Sequence, residues 1–144
     1  MFTGASSLSL DAKGRMAIPT RYRDELGARV VITADPDGCL LLFTESAWQA
    51  FEQRVGALPN LVPRIRAMQR MWLGYKLDCE IDAAGRIVIP PEMRDYAKFD
   101  RKIQMMGQGD RFELWSERGW QSVIDLAQRT AREEPPAELA RLSV

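Results

Sequence analysis

The clearest stretch of alternation runs from Lys76 to Asp82, where Leu77, Cys79 and Ile81 are apolar and Lys76, Asp78, Glu80 and Asp82 are charged. A period of two is the mark of a strand with one buried face. Asp82-Ala83-Ala84-Gly85-Arg86 then predicts a turn, and Arg86-Ile87-Val88-Ile89 a second short strand. Pro90, which lacks the N–H that a ladder needs, stops it. In the first half of the chain, Tyr22 and Leu26 share one face of a short helix that Gly27 terminates. Val30-Val31-Ile32 and Leu40-Leu41-Leu42-Phe43 flank Asp37-Gly38, which predicts a hairpin. Elsewhere the period lengthens to that of a helix. Trp48, Phe51, Val55 and Leu58 form one apolar stripe, and Trp120, Val123, Ile124 and Ala127 another. Thr44 and Ser116 are the expected N-caps, each followed by a glutamate that suits the helix dipole. A third helix is expected over roughly residues 61–73, with Leu61, Ile65, Met68 and Trp72 as its stripe and Arg66 and Arg70 on the opposite face. Pro59-Asn60 is its start signal, and Pro63 fits only in its first turn. From Arg132 onward, Pro135-Pro136 and the loss of periodicity predict a loosely held tail.

These elements occur twice. Residues 11–24 read DAKGRMAIPTRYRD and residues 82–95 read DAAGRIVIPPEMRD, with eight of fourteen positions identical at an offset of 71. Upstream, Leu8 and Leu10 align with Cys79 and Ile81. Downstream, with a one-residue shift, Phe43 to Gln49 aligns with Trp115 to Gln121. Three blocks in one order make the chain a tandem duplication. The division expected from it is a first unit at 1–58, a connecting helix at 59–75, a second unit at 76–131 and the tail at 132–144. A unit this small buries too little surface to be robust alone, so the two are expected to interlock around one barrel-like core with pseudo-twofold symmetry.

Composition narrows the function. With 144 residues, 46% hydrophobic and 28% charged, the chain has the make-up of a globular protein. It shows no run long and apolar enough for a membrane span and no apolar signal segment after Met1, so a soluble cytoplasmic protein is expected. It contains no histidine, which removes the usual general base, the Ser/His and Cys/His pairs and every histidine-containing zinc site. Cys39 and Cys79 cannot make a four-ligand zinc site and are expected to be buried free thiols. Neither a catalytic residue nor a metal or other cofactor is expected, and no small-molecule ligand is evident. The net charge is zero, yet residues 1–76 carry 10 basic and 7 acidic groups and residues 77–144 carry 10 and 13. A local basic surface is compatible with that balance.

The repeated Asp-x-x-Gly-Arg turn holds the most specific chemistry. Aspartate can accept backbone N–H groups two residues on, and glycine supplies the positive φ of a tight bend. Two readings of Arg15 and Arg86 stand open. In one they are spent on surface pairs with Asp11 and Asp82, worth only about 0–1 kcal/mol. Alternatively, the turn presents a planar guanidinium fork to phosphates or guanine edges. One such motif is a weak signal. Two in one chain, each followed by Ile-Pro and by an arginine four residues later, are a strong one. Other clusters have plainer readings. Gly107-Gln108-Gly109-Asp110 completes no phosphate-binding fingerprint and reads as the second hairpin turn. Asp78, Glu80 and Asp82 could recruit a cation but read as a solvated strand face. Trp48 and Trp120 could form a ligand platform but read as core. Arg66 and Arg70 could be a solvated face, a subunit contact or a DNA contact.

On the opening Met1-Phe2-x-Gly4, the block Leu10-Asp11-Ala12-Lys13-Gly14-Arg15 with Ile18-Pro19, and Asp82-Ala83-Ala84-Gly85-Arg86 with Ile89-Pro90, the chain resembles the MraZ family of bacterial transcriptional regulators over nearly its whole length. The resemblance implies an α+β fold: tandem AbrB-like swapped-hairpin units forming one pseudo-twofold double-split β-barrel with flanking helices. It implies a nucleoid-associated repressor that binds direct repeats in double-stranded DNA near its own promoter, in the division and cell-wall gene cluster, as a closed ring of subunits. DNA-contacting residues carried over are Asp11, Lys13, Gly14, Arg15 and Arg21 in the first unit and Asp82, Gly85 and Arg86 in the second. The second unit departs at Ala84, which replaces Lys13, and at Glu92, which replaces Arg21, so the first loop is expected to be the main reader. The rival reading is an antitoxin-like protein-interaction module on the same hairpin fold, although this chain has two units and a short tail where an antitoxin would normally carry one unit and a long acidic tail.

Overall fold

Each Asp-x-x-Gly-Arg turn joins two short strands, as the alternation predicts. In a computed structural model describing residues 1–142, β1 (Ala5–Ser9) and β2 (Arg15–Ala17) flank the first turn. Helix α1 (Thr20–Leu26) follows, burying Tyr22 and Leu26 and ending at Gly27 with φ 78°. The hairpin β3 (Arg29–Ala34) and β4 (Leu40–Thr44) leads into α2 (Glu45–Gly56). After α3 (Pro63–Gly74) the pattern repeats as β5 (Leu77–Glu80), β6 (Arg86–Val88), α4 (Pro91–Tyr96), β7 (Lys102–Gly107), β8 (Arg111–Ser116) and α5 (Glu117–Thr130). The caps fall where expected: Thr44 Oγ1 accepts the Ala47 N–H at 3.0 Å and Ser116 Oγ accepts that of Gly119 at 2.9 Å. The fold is α+β, with antiparallel pairing throughout the strands.

The strands exchange partners between units. A six-stranded sheet runs β1-β7-β8-β4-β3-β5, and β2 pairs with β6 in a separate two-stranded ribbon. Read backwards with the units interchanged, the order of the large sheet is unchanged. One face of it, with the ribbon, α1 and α4, encloses the larger core, where Met16, Ile18, Ile32, Leu42, Ile87, Ile89, Ile103 and Phe112 are fully buried. On the other face Val31, Leu41 and Phe43 pack against Trp48, Phe51 and Val55 of α2. Strands β3 and β4 are thus covered on both sides, which is why they read as unbroken apolar runs. In the second unit Gln104 and Glu113 take the outward positions, and α5 buries no residue completely. Trp48 is core as expected, whereas Trp120 is only half-buried.

Several boundaries differ from expectation. Helix α3 starts at Pro63, because proline is preorganised for a first helical position, and this leaves Leu61 outside it and 90% exposed. Trp72 is the only member of the predicted stripe tied firmly to the sheet: its carbonyl accepts Thr33 Oγ1 at 2.6 Å and its indole N–H donates to Asp35 at 3.1 Å. Met68 stays exposed. Helix α2 stops at Gly56, so Leu58 lies beyond it and is exposed. The predicted tail contains a short exposed helix, α6 (Ala137–Ala140), and its last two residues lie outside the described residues. Among the described residues no helix is long and apolar enough to cross a membrane.

Candidate nucleic-acid interface

Both turns are built the same way. Asp11 Oδ1 accepts the N–H groups of Lys13 and Arg15, each at 2.9 Å, while Oδ2 accepts Arg15 Nε at 2.6 Å. Asp82 Oδ1 accepts Ala84 and Arg86, each at 2.9 Å, and Oδ2 accepts Arg86 Nε at 3.2 Å. Each carboxyl is held below the usual aspartate range, first by the backbone N–H of its arginine, which with the guanidinium and the second N–H outweighs the opposing desolvation. Gly14 and Gly85 both have φ 77°, which closes the bend. The surface pair foreseen between aspartate and arginine therefore exists, but it uses only Nε. Among the described residues the two Nη groups of Arg15 and of Arg86 have no hydrogen-bond partner. The pair orients a fork whose outer donors stay available.

The ribbon is antiparallel, so the two turns lie at its opposite ends while their arginines share one face. Arg15 lies opposite Val88 and Ala17 opposite Arg86, and beyond the ladder Ile18 N donates to Gly85 O at 2.8 Å and Ile89 N to Gly14 O at 2.9 Å. Side chains alternate along a strand, so Arg15, Ala17, Arg86 and Val88 share one face while Met16 and Ile87 enter the core. Val88 is 53% exposed, and Ala17 is exposed as well, so that face is turned to solvent. The register puts the two arginine Cα atoms about 8 Å apart, two residues along and one strand across.

The other expected site residues divide. Lys13 sits exposed in the first turn with its backbone N–H held by Asp11. Arg21 lies on α1 and is turned toward β1, where Nη2 donates to Ser6 Oγ at 2.7 Å and to Ala5 O at 3.2 Å, and its guanidinium lies 4.7 Å from the Tyr22 ring centroid. The arginines that do reach the turns are Arg23 and Arg94. A Cβ on Gly14 would come 2.8 Å from Arg94 Cζ, and one on Gly85 would run into Arg23 Cζ and Nε. Their signal was present in the sequence as the arginine four residues after each Ile-Pro, but its meaning depends on which strands pair.

The minor candidates settle as surface or core. Asp78 pairs with Lys76 at 2.9 Å and Glu80 with Arg29 at 3.2 Å, and among the described residues no group of three possible ligands could hold a metal ion. Residues 107–110 form the turn between β7 and β8, where Phe2 and Gly109 exchange backbone hydrogen bonds at 2.6 and 2.8 Å. Cys39 and Cys79 are buried free thiols. Arg66 and Arg70 are exposed.

The sequence has many relatives. A family model described as "MraZ protein, putative antitoxin-like" matches residues 1–71 and again residues 74–142. A protein named transcriptional regulator MraZ from Thioalkalivibrio sulfidiphilus is 43% identical over 150 positions covering 100% of both chains. Its namesake from Nitrosomonas europaea is 41% identical, again with 100% of both chains covered. That from Aromatoleum aromaticum is 46% identical over 85% of each.

Proposed function

The chain belongs to the MraZ family, and from that premise we propose that it is a DNA-binding transcriptional regulator, not an enzyme. It reads double-stranded DNA through Asp11, Lys13, Gly14 and Arg15 of the first turn and Asp82, Gly85 and Arg86 of the second. The observation that carries this reading is the solvent face of the ribbon, which bears both Arg15 and Arg86, each oriented by its own aspartate and with its outer donors unpaired among the described residues. Such forks suit phosphates and the O6/N7 edge of guanine. Arg21, engaged with β1, contributes charge near the backbone of the DNA more than a base contact.

The rest of the reading extends from there. The protein works in the cytoplasm, on the nucleoid, and represses its own division and cell-wall gene cluster from direct repeats near the promoter. Successive subunits of a closed ring meet successive repeats, so weak contacts add by avidity and a chain of zero net charge binds firmly. The units at 1–58 and 76–131, joined by 59–75, form one pseudo-twofold double-split barrel; the reciprocal strand order supports this. The antitoxin-like reading draws on the shared hairpin fold and on the family description. A pull-down with and without nuclease separates the two, since a toxin partner stays bound after the DNA is digested.

The decisive experiment titrates Arg15→Ala, Lys13→Ala and Arg86→Ala against duplex from upstream of the gene at two salt concentrations, checking the oligomer mass of each. Arg15→Ala is expected nearly to abolish binding, because every subunit loses the contact at once. Lys13→Ala is expected to weaken binding and flatten the salt dependence, each lost phosphate contact removing about 0.9 from the slope. Arg86→Ala is expected to be milder, because its turn carries Ala84 in place of a lysine and is followed by Glu92. If Arg86→Ala matches or exceeds Arg15→Ala with the assembly intact, the first turn is not the main reader.

A further inference from the structure

We propose that Arg23 and Arg94 are positioning residues for the two reading turns, and that each acts on the turn of the other unit. The proposal rests on the reading that these turns meet DNA. Gly14 and Gly85 sit in otherwise exposed turns, yet both are buried. What buries them comes from across the duplication: the guanidinium of Arg94, on α4, lies over Gly14, and that of Arg23, on α1, lies over Gly85. The glycines are thus needed twice, for a φ of 77° and for a bare backbone on which a planar cation can rest.

The two clamps are not equally complete. Arg23 Nε donates to Ile18 O at 2.8 Å, and Ile18 N donates to Gly85 O at 2.8 Å. The end of β2 is therefore tied by both its backbone groups, one directly to the second turn and one to the arginine that covers it. In the other clamp Ile89 N donates to Gly14 O at 2.9 Å, but Arg94 Nε is buried without a partner among the described residues. The second turn is therefore the more firmly locked. The first, which carries Lys13, has the greater freedom to adjust against a nucleic-acid surface. The crossing also couples the turns: neither keeps its shape without the other unit.

Hydrogen exchange of the full-length protein tests the crossing without DNA. Arg94→Ala is expected to raise amide exchange about tenfold at residues 13–15 while leaving 84–86 unchanged, and Arg23→Ala the reverse with a larger effect, as loss of a hydrogen bond from a charged group implies. Arg94→Lys keeps the charge but loses the plane, and is expected to exchange like Arg94→Ala. Duplex titration then separates positioning from direct contact. Arg94→Ala and Arg94→Lys should weaken binding alike with an unchanged salt slope, whereas a phosphate contact would be rescued by lysine and its loss would lower the slope by about one. Faster exchange in both turns equally, or in the turn of the mutated unit, overturns the clamp. A crossed exchange pattern with unaltered duplex affinity in every variant upholds the clamp and overturns the DNA reading beneath it.

Discussion

Asp11 and Asp82 each hold two backbone N–H groups and a guanidinium, and the stability this lends has a definite pH window. Their folded pKa values lie below the unfolded one, so the contribution is complete above the ordinary aspartate range near pH 4 and is lost as pH falls through the folded values. No histidine titrates above that. Burial pushes the Cys79 thiol up to about 11, and that of Cys39 further still. Melting temperature and duplex affinity are therefore expected to stay flat from roughly pH 5.5 to 7 and to fall only below about pH 4. An inflection near pH 6.5 in either titration would contradict this. Lys98 offers a second test. It stands where the first unit has Gly27, and it adopts a left-handed φ of 56° against 78° for the glycine. A side chain in that region costs about 1 kcal/mol, so Lys98→Gly should raise unfolding free energy by about that amount in urea, with no change in binding.

At the scale of elements, the two terminal helices of the units differ in what covers the sheet with them. Helix α2 shares its face with α3, whose Gln69 donates to Val55 O at 2.9 Å and to Leu58 O at 3.2 Å. Helix α5 packs over Trp115 with Trp120 and Val123 half-buried and Leu126 57% exposed. Apolar side chains also remain uncovered along the connecting segment at Leu61, Val62, Met68 and Leu73. Exposed apolar side chains in these places are the surface on which the proposed assembly would draw. The proposed ring requires a heterologous contact, because the two ends of a subunit differ and only a head-to-tail contact can close in that way. Light scattering is expected to give several times 16.4 kDa. Met68→Glu combined with Leu73→Glu should lower that mass while leaving helix content unchanged. A wild-type monomer at micromolar concentration would refute the assembly.

For the whole molecule, four of the six strand ladders among the described residues join one unit to the other, and only β3 with β4 and β7 with β8 pair within a unit. Phe2 adds a further crossing, packing against Phe112 with tilted rings at 4.4 Å between centroids and edge-on against Tyr22 at 6.0 Å. Fragments 1–75 and 76–144 should therefore fail to fold separately. Each leaves strand edges unpaired and half of a shared core exposed, and exposed apolar surface costs about 25 cal/mol per Å². Mixing the fragments is expected to restore a cooperative thermal transition. Two independent cooperative transitions from monomeric fragments would show that the interlocking is dispensable.

Local physics made much of this legible in the sequence. The period-2 run at 76–82, the Ile-Pro stops, the Thr44 and Ser116 caps and the Asp-Gly turn each act within a few residues, and all appear where expected. Asp11 to Arg15 and Asp82 to Arg86 were legible as turns for the same reason. The continuous Val30-Val31-Ile32 and Leu40 to Phe43 runs were legible as the arms of a hairpin, and the fold adds that both of their faces are covered, where a side chain facing water would be polar. What pairs with what was not legible. Nothing near Gly14 in the chain says that Arg94 will cover it, and although Pro63 marks where α3 begins, nothing local says that Leu61 will be left in solvent. Those outcomes were decided by tertiary structure, because strand exchange joins residues about seventy positions apart, and a helix buries only the face that a sheet happens to meet.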